Sequence, residues 1–570
     1  MSAEPKGETS CRRVPLRPPS QVMRLARLGS FHQCRLSFMR VLLRRLKREN
    51  WSFERPVWDI DAKGVGTAVY SARGPERTYS LVCFAHDLPA DQRSDRVIAN
   101  AWDSTFALFD GEPTRDDIER LSRNVPKQEA GRVTHREISL SRANRSVRLF
   151  EHVVSRLAAG EQPDAQMIEA VGYLMRTTAV YGSGKFGAAD REAIADRPEF
   201  AAPFQPEMLS VFLTRAYTLD LVEHMAHARA PETAVRIDPA LRRCFGVGNS
   251  TGLGLAPFII NHPALFNNWI AAREEALARA RALPCAGTGE ASTFRTMLAR
   301  ARLNADEWRS EHSVQIQKLT MLKADLTHLE AHVDAGALDG EAPWDRLYQW
   351  GEQHLSIEGQ EQLVSLMLEP YGALVDDLAA AMSADEGAAF RIDGAMTLAR
   401  LSEIVEDVYG FALKLDWTAP DNNARAWYVS EEKLEPRLGE RFEEPIGPYE
   451  QPLSPGRDAV RMHSDILAWE GEDTVAAFLL RHPQHRHIAR RAQISARLPY
   501  AEIRDNTISA ALVPIDLLRC KLAFFGATHF DPRSDRWVRI NMFRDAPFPH
   551  ELAGGEADDW SYPPLPEAKR

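Results

Sequence analysis

Apolar residues recur at three- and four-residue spacing through most of the middle of the chain. This spacing is typical of amphipathic helices, so we expect a nearly all-helical middle. No fixed-period repeat of the kind that marks a solenoid is present. The predicted helices cover residues 115–122, 144–159, 165–181, 206–230, 263–282, 293–303, 312–335, 344–354, 358–382 and 396–412, with two shorter ones at 474–480 and 488–498.

A different pattern occupies the two ends of the chain. Between residues 56 and 86, alternating apolar and polar residues bounded by Gly and Pro predict three antiparallel strands. Residues 97–109 fit either a fourth strand or a helix. Residues 522–530 and 537–543 flank a polar turn and predict a hairpin. We therefore expect an α+β fold, with a helical central block and a small antiparallel sheet shared by the N- and C-terminal strands.

These patterns divide the chain into five predicted segments. Residues 1–50 carry 12 Lys and Arg against 3 Asp and Glu. This N-terminal stretch could be a disordered basic arm, a transit peptide, or the result of a start codon assigned too far upstream. We expect the ordered structure to begin near Met39. The segments are a basic, disordered tail (1–38), a β-rich segment (39–112), a helical core domain (113–415), a long irregular loop (416–462), and C-terminal helices with a hairpin that packs on the N-terminal sheet (463–570).

Composition excludes several classes of protein. Apolar residues make up 44% of the chain and charged residues 26%, as in ordinary globular proteins. No apolar run approaches the ~20 residues that span a bilayer. The net charge of −10 argues against a nucleic-acid-binding surface. The six cysteines form no CxxC pair, which favours reduced thiols in a cytoplasmic protein over a zinc ribbon or a disulfide framework.

The most distinctive stretch has four glycines within residues 246–254, interspersed with Asn, Ser and Thr. A Gly-rich turn that leads into a helix exposes backbone N–H groups to which a phosphate or carboxylate binds. The stretch lacks the third glycine of the dinucleotide fingerprint and the lysine of a P-loop. A helix–turn–helix corner with close-packed glycines is the alternative. The residues predicted to bind the anion are Gly248, Asn249, Ser250, Thr251 and Gly252.

A second Gly-rich segment, residues 176–187, closes a predicted helix and holds Arg176, Tyr181 and Lys185. A lysine on such a turn binds an anion, or acts as a nucleophile if burial lowers its pKa. The alternative is an ordinary glycine C-cap beside a solvated lysine. Whether the two Gly-rich segments meet in space does not follow from the sequence.

Further acid–base candidates lie in predicted loops. His262 follows the first Gly-rich stretch closely, and Glu432 and Arg437 lie in the long irregular loop, where functional groups are common. A helix cap and an exposed charged loop are the corresponding alternatives.

Three groups of His and Asp lie at helical spacing or in a dense cluster. The first two could hold a metal, but chance placement on polar helix faces explains them, so we predict no metal site. The third, with its flanking arginines, could bind an anion, and a solvated helix start is the preferred explanation. The groups are Asp220, His224 and His227; Asp325, His328 and His332; and His482, His485 and His487.

The sequence therefore predicts an enzyme of small-molecule metabolism that acts on a carboxylate- or phosphate-bearing molecule. Arg176, Arg437 or Lys185 would supply the counter-charge, and Lys185, His262, Glu432 or Tyr181 the catalytic groups. Lyase or hydrolase chemistry is preferred because no cofactor fingerprint appears, and no cofactor is assigned. The alternatives are a non-catalytic helical interaction protein and a flavin- or nucleotide-binding oxidoreductase. A homodimer is expected.

Overall fold

The structure is a computed structural model in which most of the chain can be described. The described residues are 13–87, 102–126, 131–177, 179, 187–188, 191–194, 196–249, 263–308, 313–382, 391–417, 455–504, 519–527, 529–531, 539–554, 560–563 and 565.

One mixed sheet of ten strands runs through the described residues. Its order is β1-β2-β3-β4-β5-β6-β8-β10-β9, and β7 also pairs with β5. Every pairing is antiparallel except that of β6 with β8, which is parallel. The strands are β1 Ser52–Ile60, β2 Gly66–Arg73, β3 Thr78–Ala85, β4 Ser104–Asp110, β5 Glu137–Arg145, β6 Tyr173–Thr177, β7 Gly187–Ala188, β8 Gly246–Asn249, β9 His529–Asp531 and β10 Arg539–Met542.

The α+β class is confirmed, but the predicted small sheet of terminal strands is wrong. Six of the ten strands lie between residues 52 and 177, and β8 comes from the middle of the chain. β5 occupies residues without a predicted element together with the start of the helix predicted at 144–159, and β6 lies within the helix predicted at 165–181. The predicted C-terminal hairpin is present only in part, as β9 and β10, because residues 522–525 of its first predicted strand lie in the π-helical turn Lys521–Phe525. β10 joins the large sheet by pairing with β8.

Eighteen α-helices occur among the described residues, and most of the longer ones lie close to their predicted positions. Two predictions are wrong: the helix Pro455–Leu467 begins inside the predicted irregular loop 416–462, and the helix predicted at 358–382 ends at Met367. The helices are α1 Pro19–Val22, α2 Phe38–Arg48, α3 Arg115–Asn124, α4 Phe150–Ala158, α5 Ala165–Val171, α6 Arg191–Ile194, α7 Gln205–Arg229, α8 Pro239–Arg243, α9 Pro263–Arg281, α10 Thr288–Glu307, α11 Ser313–His332, α12 Pro343–His354, α13 Ile357–Met367, α14 Gly372–Val375, α15 Leu398–Leu413, α16 Pro455–Leu467, α17 Val475–Arg481 and α18 Arg486–Arg497.

The two faces of the sheet are covered by different helices. On one face, Tyr217 of α7 packs its ring against Tyr70 and Phe106, 6.3 and 5.6 Å away between centroids. On the other face, Val82 and Leu140 belong to a smaller apolar cluster that includes side chains of α3. Helices α15 to α18 enclose a third apolar cluster of their own.

The N-terminal segment differs from the predicted disordered tail. Met23, Leu28 and Phe31 are buried in the main core, together with α2. Arg17 is also buried, where it pairs with Glu274 of α9. The packed chain therefore begins well before Met39; the predicted tail's first 12 residues lie outside the described part.

No helix in the described part of the chain is long and apolar enough to cross a membrane. The five cysteines that the structure describes are free thiols.

Candidate functional site

The sheet brings together the two strands in which the Gly-rich segments begin. β8 runs parallel to β6, with Gly248 beside Arg176. The Asn249 side chain donates from Nδ2 to the carbonyl oxygen of Thr177 at 3.0 Å, so the two strands end together. The carboxyl ends of these adjacent parallel strands therefore lie side by side, and α/β proteins commonly bind ligands at such ends.

β6 and β7 both pair with β5, but at different levels. Thr177 lies opposite Ala143, and Gly187 lies opposite Leu140. The end of β6 and the start of β7 therefore lie on either side of Arg142. Both ends of the second Gly-rich segment thus lie next to this arginine.

A set of polar side chains crosses the sheet at this level, on the face away from α7. Directly paired strand residues share a face, as do residues two apart in one strand. The pairs are Thr105 with Arg142, Asn144 with Arg176, and Gly248 with Asn541. Because Leu140 faces the cluster under α3, Arg142 and Asn144 continue that face beyond its apolar part. We call Thr105, Arg142, Asn144, Arg176 and Asn541 the polar strip.

Two arginines dominate the charge of the polar strip. Arg142 and Arg176 are diagonal neighbours on β5 and β6, a relation that places Cα atoms roughly 7–8 Å apart. Both side chains are half-buried. The guanidinium of Arg142 lies 4.4 Å from the ring centroid of Trp102, and burial lowers its pKa from the ordinary value. Guanidinium groups form charge-assisted hydrogen bonds with carboxylates and phosphates.

His86 lies beside the polar strip and is a candidate proton carrier. Its Nε2 is 3.1 Å from the hydroxyl oxygen of Thr105. Burial lowers the pKa of His86, which keeps the imidazole neutral near pH 7. A neutral imidazole accepts a proton on one nitrogen and donates from the other, as acid–base catalysis requires.

The described glycines of the first stretch have a packing role. A Cβ on Gly248 would lie 2.8 Å from the ring of Tyr173, and one on Gly246 would lie 2.6 Å from the carbonyl oxygen of Met542. Gly248 and Asn249 therefore lie in a close-packed strand, in contrast to the predicted turn. Asn249 is buried, and its Oδ1 accepts no hydrogen bond from the described residues.

The structure places only part of the predicted site. Arg176 lies in the polar strip, and Gly248 and Asn249 lie in β8 beside it. The other predicted catalytic and binding residues fall outside the described part of the chain: Tyr181, Lys185, Ser250, Thr251, Gly252, His262, Glu432 and Arg437.

Sequence reasoning missed His86 and four members of the polar strip. A signal for two of them exists, because Leu140, Arg142 and Asn144 alternate with small residues in a strand-like pattern. For Thr105 and Asn541, only the sheet pairing reveals the shared face.

Both helical His and Asp groups have other contacts. Asp220 on α7 accepts hydrogen bonds from Tyr70 and Arg55, at 2.7 and 2.9 Å. His224 lies between the indole N–H of Trp58 and a backbone carbonyl oxygen. On α11, the ring of His332 stacks on Trp350 at 4.0 Å. Their side chains therefore serve packing and ion pairing.

An open cleft of about 850 Å³ lies along α7, on the other side of the sheet from the polar strip. Its walls include Arg242, which forms ion pairs with both Asp220 and Glu223. Because these charges already compensate each other, the cleft indicates no particular ligand.

Comparison of the chain with protein-family models, with curated proteins and with solved structures found no match.

Proposed function

We propose that this protein is an enzyme of small-molecule metabolism whose substrate carries a carboxylate or phosphate group, bound at the polar strip. The observation that carries the proposal is the pair of half-buried arginines, Arg142 and Arg176, beside the carboxyl ends of β6 and β8. The described starts of both predicted Gly-rich segments lie at this place.

The physical argument rests on charge and desolvation. An arginine binds a carboxylate or phosphate through two parallel N–H bonds, and a second arginine nearby raises the affinity. The buried Asn144 and Asn541 add neutral amide groups on the same face, and Nδ2 of Asn541 donates to the carbonyl oxygen of Val171 at 3.2 Å. Such a surface fits an anionic group with further polar substituents.

Acid–base chemistry of the lyase or hydrolase type is the proposed reaction class. His86 is the candidate proton carrier among the described residues. It contacts Thr105 of β4, and Thr105 is the strand partner of Arg142 on β5. Tyr181 and Lys185 follow Thr177 closely in the chain, and this closeness supports them as further candidates. His262 and Glu432 stay predictions.

The decisive experiment measures anion binding to the purified protein by thermal shift and calorimetry. The panel contains inorganic phosphate, small mono- and dicarboxylates, phosphorylated metabolites, nucleotides and coenzyme A esters. A ligand at about 100 times its Kd adds about 2.7 kcal/mol to the free energy of unfolding and raises the melting temperature by a few degrees.

Variants locate the site. Arg142→Gln and Arg176→Gln should each weaken binding by about one to two orders of magnitude, because each removes a charge-assisted contact. Arg236→Gln is the matched control, since this arginine is exposed and lies beside the α7 cleft. An anion whose affinity is unchanged in both strip variants would contradict the proposal.

The rival functions predict different outcomes. A helical interaction protein would bind none of the panel. A flavin or nucleotide oxidoreductase would show visible absorbance or a preference for nucleotides that survives both substitutions. The cytoplasmic location, the homodimer and the absence of nucleic-acid partners stay predictions. The free thiols support the cytoplasmic location, and the net charge of −10 supports the absence of nucleic-acid partners.

A further inference from the structure

Three potential metal ligands meet at one corner of the helical unit formed by α15 to α18. Asp465 lies near the end of α16, and His482 directly follows α17. His485 ends the short 3₁₀ turn, residues 483–485, that leads into α18. The chain therefore supplies one ligand from a helix and two from an adjoining turn.

The distances among these side chains suit a shared ion. Oδ2 of Asp465 is 2.6 Å from Nε2 of His485 and 3.6 Å from Nδ1 of His482. One ligand atom from each residue lies within 4.8 Å of the others. Tetrahedral zinc, with bonds near 2.0–2.2 Å, needs ligand atoms about 3.3–3.6 Å apart. Shifts of about 1 Å would therefore close the site.

Aromatic packing holds the two imidazole rings in place. Both rings stack on Phe478, with centroid distances of 4.7 Å for His482 and 5.9 Å for His485. Trp469 packs edge-on against His482 at 5.8 Å. His485 is only 5% exposed. Restrained rings lose little freedom on binding a metal, which favours affinity.

We propose that Asp465, His482 and His485 form a site for a divalent first-row transition ion, with zinc as the best match. Two imidazole nitrogens and a carboxylate oxygen are ligands that zinc accepts, whereas magnesium and calcium prefer an all-oxygen set. Three protein ligands leave a position for water or a small ligand. The site is accessible, because the Asp465 side chain is 41% exposed.

A simple hydrogen bond between His485 and Asp465 is the competing explanation. In it, His482 stacks on Phe478, and its Nδ1 lies 3.4 Å from Nε2 of Gln484. The flanking cations, Arg481 and Arg486, have exposed side chains, so solvent screens their repulsion of a metal ion. A metal explains why both imidazoles approach the same carboxylate.

Cobalt(II) titration of the full-length, chelator-treated protein tests the proposal, because tetrahedral cobalt has a visible absorption that a hydrogen bond cannot produce. We expect one equivalent of cobalt to bind and zinc to displace it. Asp465→Asn and His482→Gln should each weaken binding at least about tenfold. His463→Gln is the control: this histidine lies on α16 with Asp465 but contacts Glu406 at 3.2 Å.

Two results would overturn the proposal: folded wild-type protein without the cobalt spectrum, or a spectrum that both ligand variants retain. Circular dichroism and melting of each variant show that it is folded. The polar strip does not enter this test, so its outcome is independent of the proposed enzymatic function.

Discussion

Gly248 shows how one residue's environment decides its role. A glycine among Asn, Ser and Thr is typical of a ligand-binding turn, but here it lies between β6 and β10, with the Tyr173 ring against its α-carbon. A Gly-rich pattern has two physical uses, anion binding and close packing. Both depend on the absence of a glycine side chain. For Gly248, the structure supplies the packing reason.

Gly248→Ala should lower the free energy of unfolding by about 1–3 kcal/mol, because its Cβ must displace a buried ring. Urea denaturation monitored by circular dichroism measures the change. Gly289→Ala is the control, since no atom lies within 4 Å of a Cβ there, and we expect little loss. Equal stability of Gly248→Ala and wild type would show that Tyr173 moves freely aside.

A buried ion cluster links the N-terminal segment to two helices of the main core. Glu361 of α13 pairs with Arg17 at 2.9 Å and with Arg27 at 3.2 Å, and it also contacts Arg273 of α9. Burial alone would raise the pKa of Glu361, but Arg17, Arg273 and Arg27 hold it at about 2. The cluster therefore requires the ionised carboxylate.

This cluster predicts a specific acid dependence of stability. The folded-state pKa of Glu361 is lower than the unfolded one, so its contribution is complete above about pH 4.5 and is lost as the pH falls toward 2. Glu361→Gln should lower the free energy of unfolding by about 3–5 kcal/mol at pH 7, because it leaves buried arginines without a counter-charge. The difference from wild type should narrow across that acid range.

Melting temperatures of both proteins from pH 7 to pH 3 measure this narrowing. Glu54→Gln serves as the control, because Glu54 pairs with Arg73 at the surface and such pairs contribute little. A constant difference between Glu361→Gln and wild type at every pH would refute the assigned ionisation.

At the scale of the whole molecule, the N-terminal segment is part of the main hydrophobic core. Its basic residues suggested a solvated arm, yet several arginines pair with carboxylates of distant helices, including Arg17 with Glu274 and Arg40 with Glu369. The positive charge of the first fifty residues complements acidic groups inside the fold. A local charge excess therefore does not by itself indicate disorder.

Truncation separates the two parts of this segment. Removal of residues 2–37 should abolish cooperative folding, because buried side chains such as Met23, Leu28 and Phe31 contribute roughly 1.5–3 kcal/mol each against a total stability of about 5–15 kcal/mol. Removal of residues 2–12 is the control and should leave the melting temperature nearly unchanged. A 2–37 deletion that melts like the full-length protein would restore the tail interpretation.

The sequence by itself determined the elements whose signals are local. Helix α7 was predicted at 206–230 and lies at Gln205–Arg229, and the β9–β10 hairpin follows its polar turn. In each case, residues a few positions apart carry the pattern, since a helix or a tight hairpin forms its own hydrogen bonds. The α+β class followed from these elements.

Only the tertiary structure decided the extent of the sheet and the composition of the polar strip. β8 has four residues, and its partners lie about 70 residues earlier and nearly 300 later in the chain. Arg176 was recognised as a candidate at a helix end, but Arg142 and Asn541 become its neighbours only when distant strands pair. Periodicity reports which side of an element is apolar, whereas strand partners depend on the packing of the whole chain.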